Sequence, residues 1–182
     1  QRIVADAFLE LHSTVVEDRA YLEPNSLLAR ALLFLQRHSL RTADMLLIDT
    51  PQQANRLTAR LGAKPPPVYA LPVGIDEILW RSLPPKPAGD RCTVLFWGTF
   101  IPLHGVEHIV SAARALQEKG LPIQFEIIGD GQMAGQIEEN LRAKPLQNLR
   151  WRRALLATEE IREALELSDI VLGIFGDSEK AG

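Results

Sequence analysis

The chain has 182 residues, of which 46% are hydrophobic, and a mean hydropathy of -0.02, values that exclude disordered and fibrous proteins. Twenty basic and 23 acidic side chains give a net charge of -3, which argues against bulk electrostatic binding to nucleic acid. A single cysteine, Cys92, excludes an intrachain disulfide framework and favours a reducing, cytoplasmic compartment. The sequence predicts neither a membrane-spanning helix nor a signal peptide.

The first 81 residues alternate short apolar segments with amphipathic ones, a pattern that predicts strands separated by helices. In chain order the prediction gives a strand at 2–6, a helix at 24–43, a strand at 45–48, a helix at 51–61 and a strand at 68–71. Asn25 or Ser26 can cap the first helix. Thr50, followed by a proline, marks the start of the second, and Gly62 suits the left-handed position past its end.

Residues 82–90 read SLPPKPAGD and show no apolar periodicity, so they are interpreted as a linker between domains at 1–81 and 91–182. After the linker the prediction gives strands at 93–97, 123–128, 149–151 and 169–174, separated by helices at 104–119, 133–143 and 158–167. Single helices between strands imply right-handed crossovers in a parallel sheet.

The predicted fold class is therefore α/β, with Rossmann-like parallel-sheet layers. In the second sheet, the strand at 93–97 should lie between those at 123–128 and 169–174. A doubly wound domain usually has about five or six strands, and only four follow the linker, which favours a truncated piece of a larger protein.

The segment 98–105, GTFIPLHG, follows the 93–97 strand and opens a helix. Ligands of open parallel sheets bind beyond the carboxyl ends of the strands. Gly98 permits a tight turn there, and the free amides at the helix start favour an anion such as phosphate. Because any loop of this kind can need a glycine, a phosphate site and a plain turn stay equally open.

Two further motifs have weaker support. Residues 104–108, HGVEH, match the inverted zinc-protease motif H-x-x-E-H, but no third ligand is evident, so no metal is expected. Residues 129–134, GDGQMA, fit the dinucleotide fingerprint G-x-G-x-x-A, yet LRWRR at 149–153 lacks the acidic residue expected after the next strand. The glycine pair therefore favours close approach of another ligand over nicotinamide binding.

Outside these loops, His12 and Asp18 lie in a predicted polar loop after the first strand. A histidine and a carboxylate there can move a proton or hold a sugar hydroxyl, and a plain loop histidine in solvent stays equally open for His12. Arg30, Arg37 and Arg41 form a stripe along the 24–43 helix. Such a stripe is typical of a solvated face, and on a leucine-rich helix it also suits contact with anionic lipid.

The order and spacing of these motifs resemble the GT-B glycosyltransferases, specifically the retaining family 4, also called glycosyl transferase group 1. The resemblance runs through ADMLLIDTPQQANRL, ALPVGIDEILW, VLFWGTFIPLHGVEHIVSAARAL, FEIIGDGQM and EEIREALELSDIVLGIFG, nearly the whole chain. It implies a GT-B type fold. Residues 1–81 would be the C-terminal part of the acceptor-side domain, and 91–182 the first part of the donor-binding domain.

The resemblance also implies roles for individual residues. The donor site would contain Gly98, Thr99, His104, Gly105, Gly129, Asp130, Gly131, Arg153, Gly176 and Asp177. Thr99 and His104 stand where the family usually has an Arg and a Lys beside the donor diphosphate. The resemblance therefore implies that this protein neutralises the negative charge of the donor in a different way. On the acceptor side, His12 and Asp18 are the candidates for catalysis.

The activity implied is transfer of a hexosyl group from a nucleoside diphosphate sugar to a glycan or lipid-linked acceptor, with retention. No metal, other cofactor or nucleic acid is expected, and the 182 residues alone are expected to be inactive. The resemblance favours a cytoplasmic protein and leaves peripheral contact with the inner membrane face open. Two alternatives remain: a nucleotide-sugar epimerase or NAD-dependent enzyme of similar architecture, and a folded fragment without catalysis.

Overall fold

A computed structural model describes residues 2–78, 80, 86, 89–154 and 156–176. The chain divides into two compact units, called here the N-unit (1–81) and the C-unit (82–182). Each is built on its own parallel sheet, which confirms the α/β class that the alternating pattern predicts. Within the described part of the chain, none of the helices has the length and apolar character needed to cross a membrane.

The N-unit contains three parallel strands in the order β1-β2-β3. Its elements are β1 (Val4–Asp6), α1 (Leu11–Ser13), a π-helical turn (Thr14–Asp18), α2 (Leu27–Leu40), β2 (Met45–Ile48), α3 (Pro51–Leu61) and β3 (Val68–Ala70). Two successive right-handed crossovers in one direction place α2 and α3 on the same face of the sheet. Leu46 and Ile48 of β2 form a buried core there with Leu57 and Leu61 of α3.

The predicted capping residues Ser26 and Thr50 are confirmed, while α2 spans Leu27–Leu40 rather than the predicted 24–43. The Ser26 hydroxyl accepts a hydrogen bond from the Ala29 amide, and the Thr50 hydroxyl accepts one from the Gln53 amide, both at 3.2 Å. Gly62 has φ +78° and ψ -150°, so it ends α3 with a positive φ but outside the left-handed helical region that the sequence predicts.

Two features of the N-unit depart from what the sequence pattern suggests. The segment that carries His12 and Asp18 is helical rather than a loop, since the Arg19 amide bonds to the carbonyl of Thr14, five residues earlier (3.1 Å). On α2, Ala29 is the buried residue, while Leu28 and Leu35 are 67% and 63% exposed. The face of α2 that carries Leu28 and Leu35 is therefore exposed on the N-unit.

The C-unit contains four parallel strands in the order β6-β5-β4-β7. Its elements are β4 (Cys92–Trp97), a 3-10 turn (Pro102–His104), α4 (Val106–Glu118), β5 (Ile123–Ile128), α5 (Ala134–Ala143), β6 (Leu149–Arg152), α6 (Thr158–Glu166) and β7 (Ile170–Val171). The predicted place of β4 between β5 and β7 is confirmed. Because the strand order reverses at β4, α4 and α5 cover one face of the sheet and α6 the other.

Each face of the C-unit sheet has its own buried cluster. Phe96, Phe125 and Ile137 belong to the larger cluster, which includes residues of α4 and α5. Leu95 and Ala164 belong to a smaller one that includes α6. Neighbouring residues of β4 thus enter opposite clusters, as expected for a strand of a parallel sheet covered on both faces.

Two elements of the C-unit, α4 and β7, differ from the prediction by more than one residue at a boundary. Helix α4 begins at Val106, two residues later than predicted, because Gly105 has φ +59° and the three residues before it form the 3-10 turn. Strand β7 has two residues rather than six, since its pairing with β4 covers only Val94 to Ile170 and Leu95 to Val171.

Part of the predicted linker at 82–90 lies outside the described residues. Within it, Lys86 bonds to the Asp169 carboxylate (Nζ to Oδ2, 2.7 Å), and the same oxygen accepts the Thr93 amide (2.7 Å). The hydrogen bond from Lys86 and, second, that from Thr93 hold the pKa of Asp169 below its ordinary value. A residue of the predicted linker is thereby tied to the amino-terminal end of β4.

Candidate ligand cleft

The loops that follow β4 and β5 are joined through their backbones. The Gly98 amide donates to the Ile128 carbonyl (3.0 Å). The Phe100 amide donates to the Asp130 carbonyl (2.9 Å), and the Phe100 carbonyl accepts the Met133 amide (2.8 Å). Each of these backbone groups has its hydrogen-bond partner on the other loop or strand end, so the two loops are fixed to each other.

Gly129 and Gly131 permit this close approach. Their φ angles are +141° and +154°, a region that side chains disfavour. A Cβ on Gly129 would collide with the Gly98 carbonyl oxygen, and one on Gly131 would lie 2.8 Å from the Phe100 carbonyl oxygen. The glycine pair that the sequence analysis assigned to close approach of a ligand is therefore required for contact between the loops.

An aromatic pair supports the joined loops. Phe100 is fully buried and stacks on Trp151 of β6, with ring centroids 5.4 Å apart and planes 21° apart. The indole nitrogen of Trp151 donates to the Gly129 carbonyl oxygen (2.9 Å). The Trp151 side chain thus contacts both loops and fixes them relative to β6.

Arg153, directly after β6, is held on three sides. Its Nε donates to Asp130 Oδ2 (3.0 Å), its Nη1 donates to Glu138 Oε2 (3.1 Å), and its Cζ lies 5.5 Å from the Trp151 ring centroid. The other Asp130 oxygen accepts the Gly131 amide (2.7 Å). The hydrogen bond from Arg153 and, second, that from Gly131 hold the pKa of Asp130 below its ordinary value. Its hydrogen bond and charge interaction with Asp130 raise the pKa of Arg153.

These parts border an open cleft of about 820 Å³ at the carboxyl ends of β4, β5 and β6. It is lined by Trp97, Gly98, Thr99, Ile128, Gly129, Asp130, Gly131, Arg153, Ala154, Leu156 and Ile161. Leu156 and Ile161 give it an apolar wall, and Asp130 and Arg153 give it a paired charge. The cleft lies where open α/β sheets bind their ligands and has the volume of a small-molecule site.

The cleft brings together part of the donor site expected from the sequence. Its lining contains Gly98, Thr99, Gly129, Asp130, Gly131 and Arg153 and does not contain His104, Gly105 or Gly176. Asp177 lies outside the described residues. His12 and Asp18 belong to the N-unit.

His104 packs behind the loop that lines the cleft. Its ring meets Phe96 edge to face, with centroids 5.8 Å apart, and a Cβ on Gly98 would lie 3.3 Å from its Cε1. Its Nδ1 is hydrogen-bonded to the Thr99 carbonyl oxygen. Because a carbonyl oxygen only accepts, Nδ1 carries the proton, and Nε2 of the neutral ring is an acceptor. His104 can therefore donate to a phosphate through Nε2 only as imidazolium.

Gly105 and Gly176 bring the segment after β7 onto the 3-10 turn. The Gly176 amide donates to the Leu103 carbonyl oxygen (3.0 Å), and a Cβ on Gly105 would lie 2.6 Å from the carbonyl carbon of Phe175. Both glycines thus have a packing role that the sequence analysis did not assign. Their donor-binding role stays a prediction.

The H-x-x-E-H motif does not converge on a metal site. The His104 ring faces Phe96, whereas His108 lines a separate apolar groove with Cys92 and Ile170. Among the residues that the structure describes, no three His, Cys, Asp or Glu side chains lie together as a metal ion would require.

In the N-unit, ion pairs anchor the helical segment at 11–18. Arg60 of α3 donates to Glu10 (2.9 Å), directly before that segment, and to Glu17 (2.6 Å), near its end. Burial alone would lower the Arg60 pKa, but the hydrogen bonds and charges of the two glutamates raise it above its ordinary value.

The same segment, 11–18, carries both His12 and Asp18. The His12 amide donates to Gln36 Oε1 (2.6 Å), and Gln36 Nε2 donates to Glu10 (2.9 Å). Asp18 is buried, and so is the His12 Nδ1 atom, which has no hydrogen-bond partner among the described residues. Asp18 is therefore shielded from solvent, and the catalytic role of both residues stays a prediction.

The apolar wall of the cleft, Leu156 and Ile161, was not predicted from the sequence. Ile161 is the first apolar residue of the predicted helix at 158–167, and Leu156 lies two residues before that helix. The available signal was position: both follow a predicted strand, at the sheet edge where ligands bind.

No protein-family model matches the sequence. No curated protein matches it significantly either. Several solved structures match the fold, among them a variant of S. aureus TarM in complex with Fondaparinux, alpha-GlcNAc-glycerol and UDP (TM-score 0.61, 12% identity, 86% of this chain and 30% of that one). A sucrose-phosphate synthase from Thermosynechococcus elongatus matches with TM-score 0.62 and 18% identity over 84% of this chain and 42% of the other. The pneumococcal O-GlcNAc transferase GtfA, in complex with UDP and GlcNAc, matches with TM-score 0.52 and 20% identity over 70% of this chain and 26% of the other.

At these identities the likeness shows the fold, which is that of GT-B glycosyltransferases with parallel-sheet α/β layers. The chain spans between about a quarter and two fifths of the length of these three proteins.

Proposed function

We propose that the protein is a glycosyltransferase that takes a sugar from a nucleoside diphosphate sugar and transfers it, with retention, to a glycan or lipid-linked acceptor. The observation that carries the proposal is the C-unit cleft, which two joined glycine loops form where the strand order reverses. The shared fold with TarM and GtfA, both in complex with UDP, supports it.

The donor diphosphate is proposed to bind at Gly98 and Thr99, toward the amino-terminal end of α4. Helix-start amides favour an anion, and fixed hydrogen-bond donors stabilise the charge that develops on a leaving phosphate. Thr99 supplies a hydroxyl where the resembled family has a cation. His104, beside Gly98, would add a positive charge when it is protonated. No metal or further cofactor is proposed.

The N-unit is proposed as the acceptor side, with His12 and Asp18 as its reactive groups. A carboxylate and an imidazole can hold a sugar hydroxyl or move its proton, and His12 Nδ1 has no hydrogen-bond partner within the part of the chain that the structure describes. In the transfer, the bond from the anomeric carbon to the phosphate oxygen breaks and the acceptor oxygen takes its place on the same face of the sugar.

Peripheral contact of the N-unit with an anionic membrane on the cytoplasmic side is also proposed. Helix α2 exposes Leu27 and Phe34 by 82% and 69%. Arg37 and Arg41 donate to the Leu61 carbonyl oxygen (3.5 and 2.7 Å), which orients them without cancelling their charge. Exposed apolar residues next to such cations are typical of helices that lie on membranes.

Thermal shift with nucleotides tests the proposed function. We expect UDP or GDP, but not NAD, to raise the Tm of the protein. Ala154, which lines the cleft and is exposed, can be replaced by tryptophan to fill the cleft, and the nucleotide shift should then disappear. Ala115→Trp, on the exposed side of α4 and outside the cleft lining, is the matched control. Stabilisation by NAD alone would instead support the NAD-dependent alternative.

A further inference from the structure

Arg153 differs from an ordinary phosphate-binding arginine because its charge is already balanced. It is the sole cation among the described residues that line the cleft. It pairs with Asp130 and Glu138, and Glu138 also pairs with Arg142, so these four side chains together carry no net charge. A phosphate placed there would gain no net charge attraction, because two carboxylates stand beside the guanidinium. A neutral hydrogen-bond acceptor needs no such attraction.

The guanidinium nevertheless keeps donor capacity. Nε and Nη1 are committed to the two carboxylates, and no partner for Nη2 lies in the part of the chain that the structure describes. A guanidinium only donates, so Nη2 requires an acceptor such as a carbonyl oxygen. The ion pairs and the Trp151 ring already hold the group in place, so little conformational entropy is lost when it makes another bond.

The surroundings of Arg153 suit a planar ring. Leu156 and Ile161 give the cleft an apolar wall, and the paired charges of Arg153 and Asp130 belong to the same lining. Ligand sites commonly combine apolar contact for the body of the ligand with one or two polar groups that fix its orientation. A nucleobase with a carbonyl oxygen meets both conditions.

We propose that Arg153 sets the nucleotide specificity of the cleft by donating from Nη2 to a carbonyl oxygen of the base, so that uridine and guanosine nucleotides are selected over cytidine and adenosine nucleotides. Guanine carries an acceptor at O6 and uracil, like thymine, at O4, where adenine and cytosine carry amino donors. An amino group facing Arg153 would place donor against donor. This inference rests on the proposed function, because it assumes that a nucleotide occupies the cleft.

The test is calorimetric titration of the protein with UDP, GDP, CDP and ADP. We expect UDP and GDP to bind about tenfold more tightly than CDP and ADP, the discrimination of one hydrogen bond to a charged donor. Arg153→Gln should bring the four affinities within about twofold, and Arg153→Lys should restore part of the preference. Arg142→Gln is the matched control, because Arg142 also pairs with Glu138 (3.0 Å) but does not line the cleft.

The outcomes separate this inference from the proposed function. Equal affinities for all four nucleotides in the native protein would overturn the role of Arg153 and leave a nucleotide site standing. An unchanged preference in Arg153→Gln, or its loss in Arg142→Gln, would also overturn that role. If no nucleotide binds at all, the proposed function fails and the inference fails with it. Circular dichroism of each variant establishes that it is folded, which is expected because the Arg153 side chain is 48% exposed.

Discussion

The two units hold their candidate functional segments by different means. In the C-unit, the loops after β4 and β5 are fixed by backbone hydrogen bonds and by glycines that let the two backbones touch. In the N-unit, the segment at 11–18 is fixed by side chains, with Arg60 bridging Glu10 and Glu17, and Gln36 accepting the His12 amide. The first arrangement has no room for added side-chain atoms, whereas the second depends on a few charges.

This difference predicts opposite sensitivities. Loops joined through their backbones should resist the loss of a surface charge but not the addition of a methyl group. A segment anchored by ion pairs should accept small changes of volume but not the loss of the shared cation.

Gly129→Ala should destabilise the protein by about 3 kcal/mol, because the new Cβ would collide with the Gly98 carbonyl oxygen at a φ of +141°. Gly135→Ala is the control. Gly135 lies in α5 with open space around it, so alanine there should stabilise by about 0.5 kcal/mol through helix propensity. Chemical denaturation measures both. Equal unfolding free energies for the two variants would show that the loops separate easily.

Arg60→Met should cost about 2 kcal/mol, because Glu10, whose side chain is 5% exposed, would be left as a buried charge without its cation. Partial exposure of Arg60 keeps the cost below that of a fully buried pair. Arg142→Met removes a surface pair and should cost no more than about 0.5 kcal/mol. If the two variants unfold at the same denaturant concentration, the N-unit segment is not anchored by charge.

Replacing Arg30, Arg37 and Arg41 together by glutamine should lower binding to anionic vesicles about tenfold in sedimentation assays. Each arginine near an anionic surface contributes about 1 kcal/mol, and the hydrogen bonds of Arg37 and Arg41 to α3 limit how closely they can approach it. Zwitterionic vesicles are the control and should bind both proteins weakly. Equal binding of the native and triple-variant proteins to anionic vesicles would remove the membrane proposal.

His104→Ala should weaken nucleoside diphosphate binding about threefold, the effect of one lost hydrogen bond. The His104 ring bonds to the Thr99 carbonyl oxygen and packs on Phe96, so it helps to fix the loop that is proposed to bind the diphosphate. The exposed His108 lies outside the cleft lining, and His108→Ala is the control that should leave the affinity unchanged. Calorimetric titration measures both variants. Equal affinities of the native protein and His104→Ala would show that the loop needs no support from the ring.

The sequence predicted the sheets well, because buried parallel strands are nearly continuous apolar runs between turn signals. The bounds of β2 and β5 match the prediction, and β4 differs by one residue. The two helix caps were also visible, since Ser26 and Thr50 act within a few residues of chain.

Features that depend on distant partners were not visible. The π-helical turn after His12 has no residue pattern of its own, and its anchor, Arg60, lies far along the chain. The sequence showed that Gly129 needs space but not that the backbone of Gly98 fills it. The packing of the His104 ring on Phe96 was equally hidden, because it depends on the 3-10 turn that delays α4.

The joined loops also set a condition for engineering this protein. Residues 98–100 and 129–133 share hydrogen bonds, and Trp151 contacts both loops from β6. If only the loop after β4 were replaced by one from another protein, its backbone would not match the hydrogen-bonding groups of the loop after β5. Exchange of ligand preference by grafting should therefore succeed only when both loops and the residue at 151 are moved as one cassette.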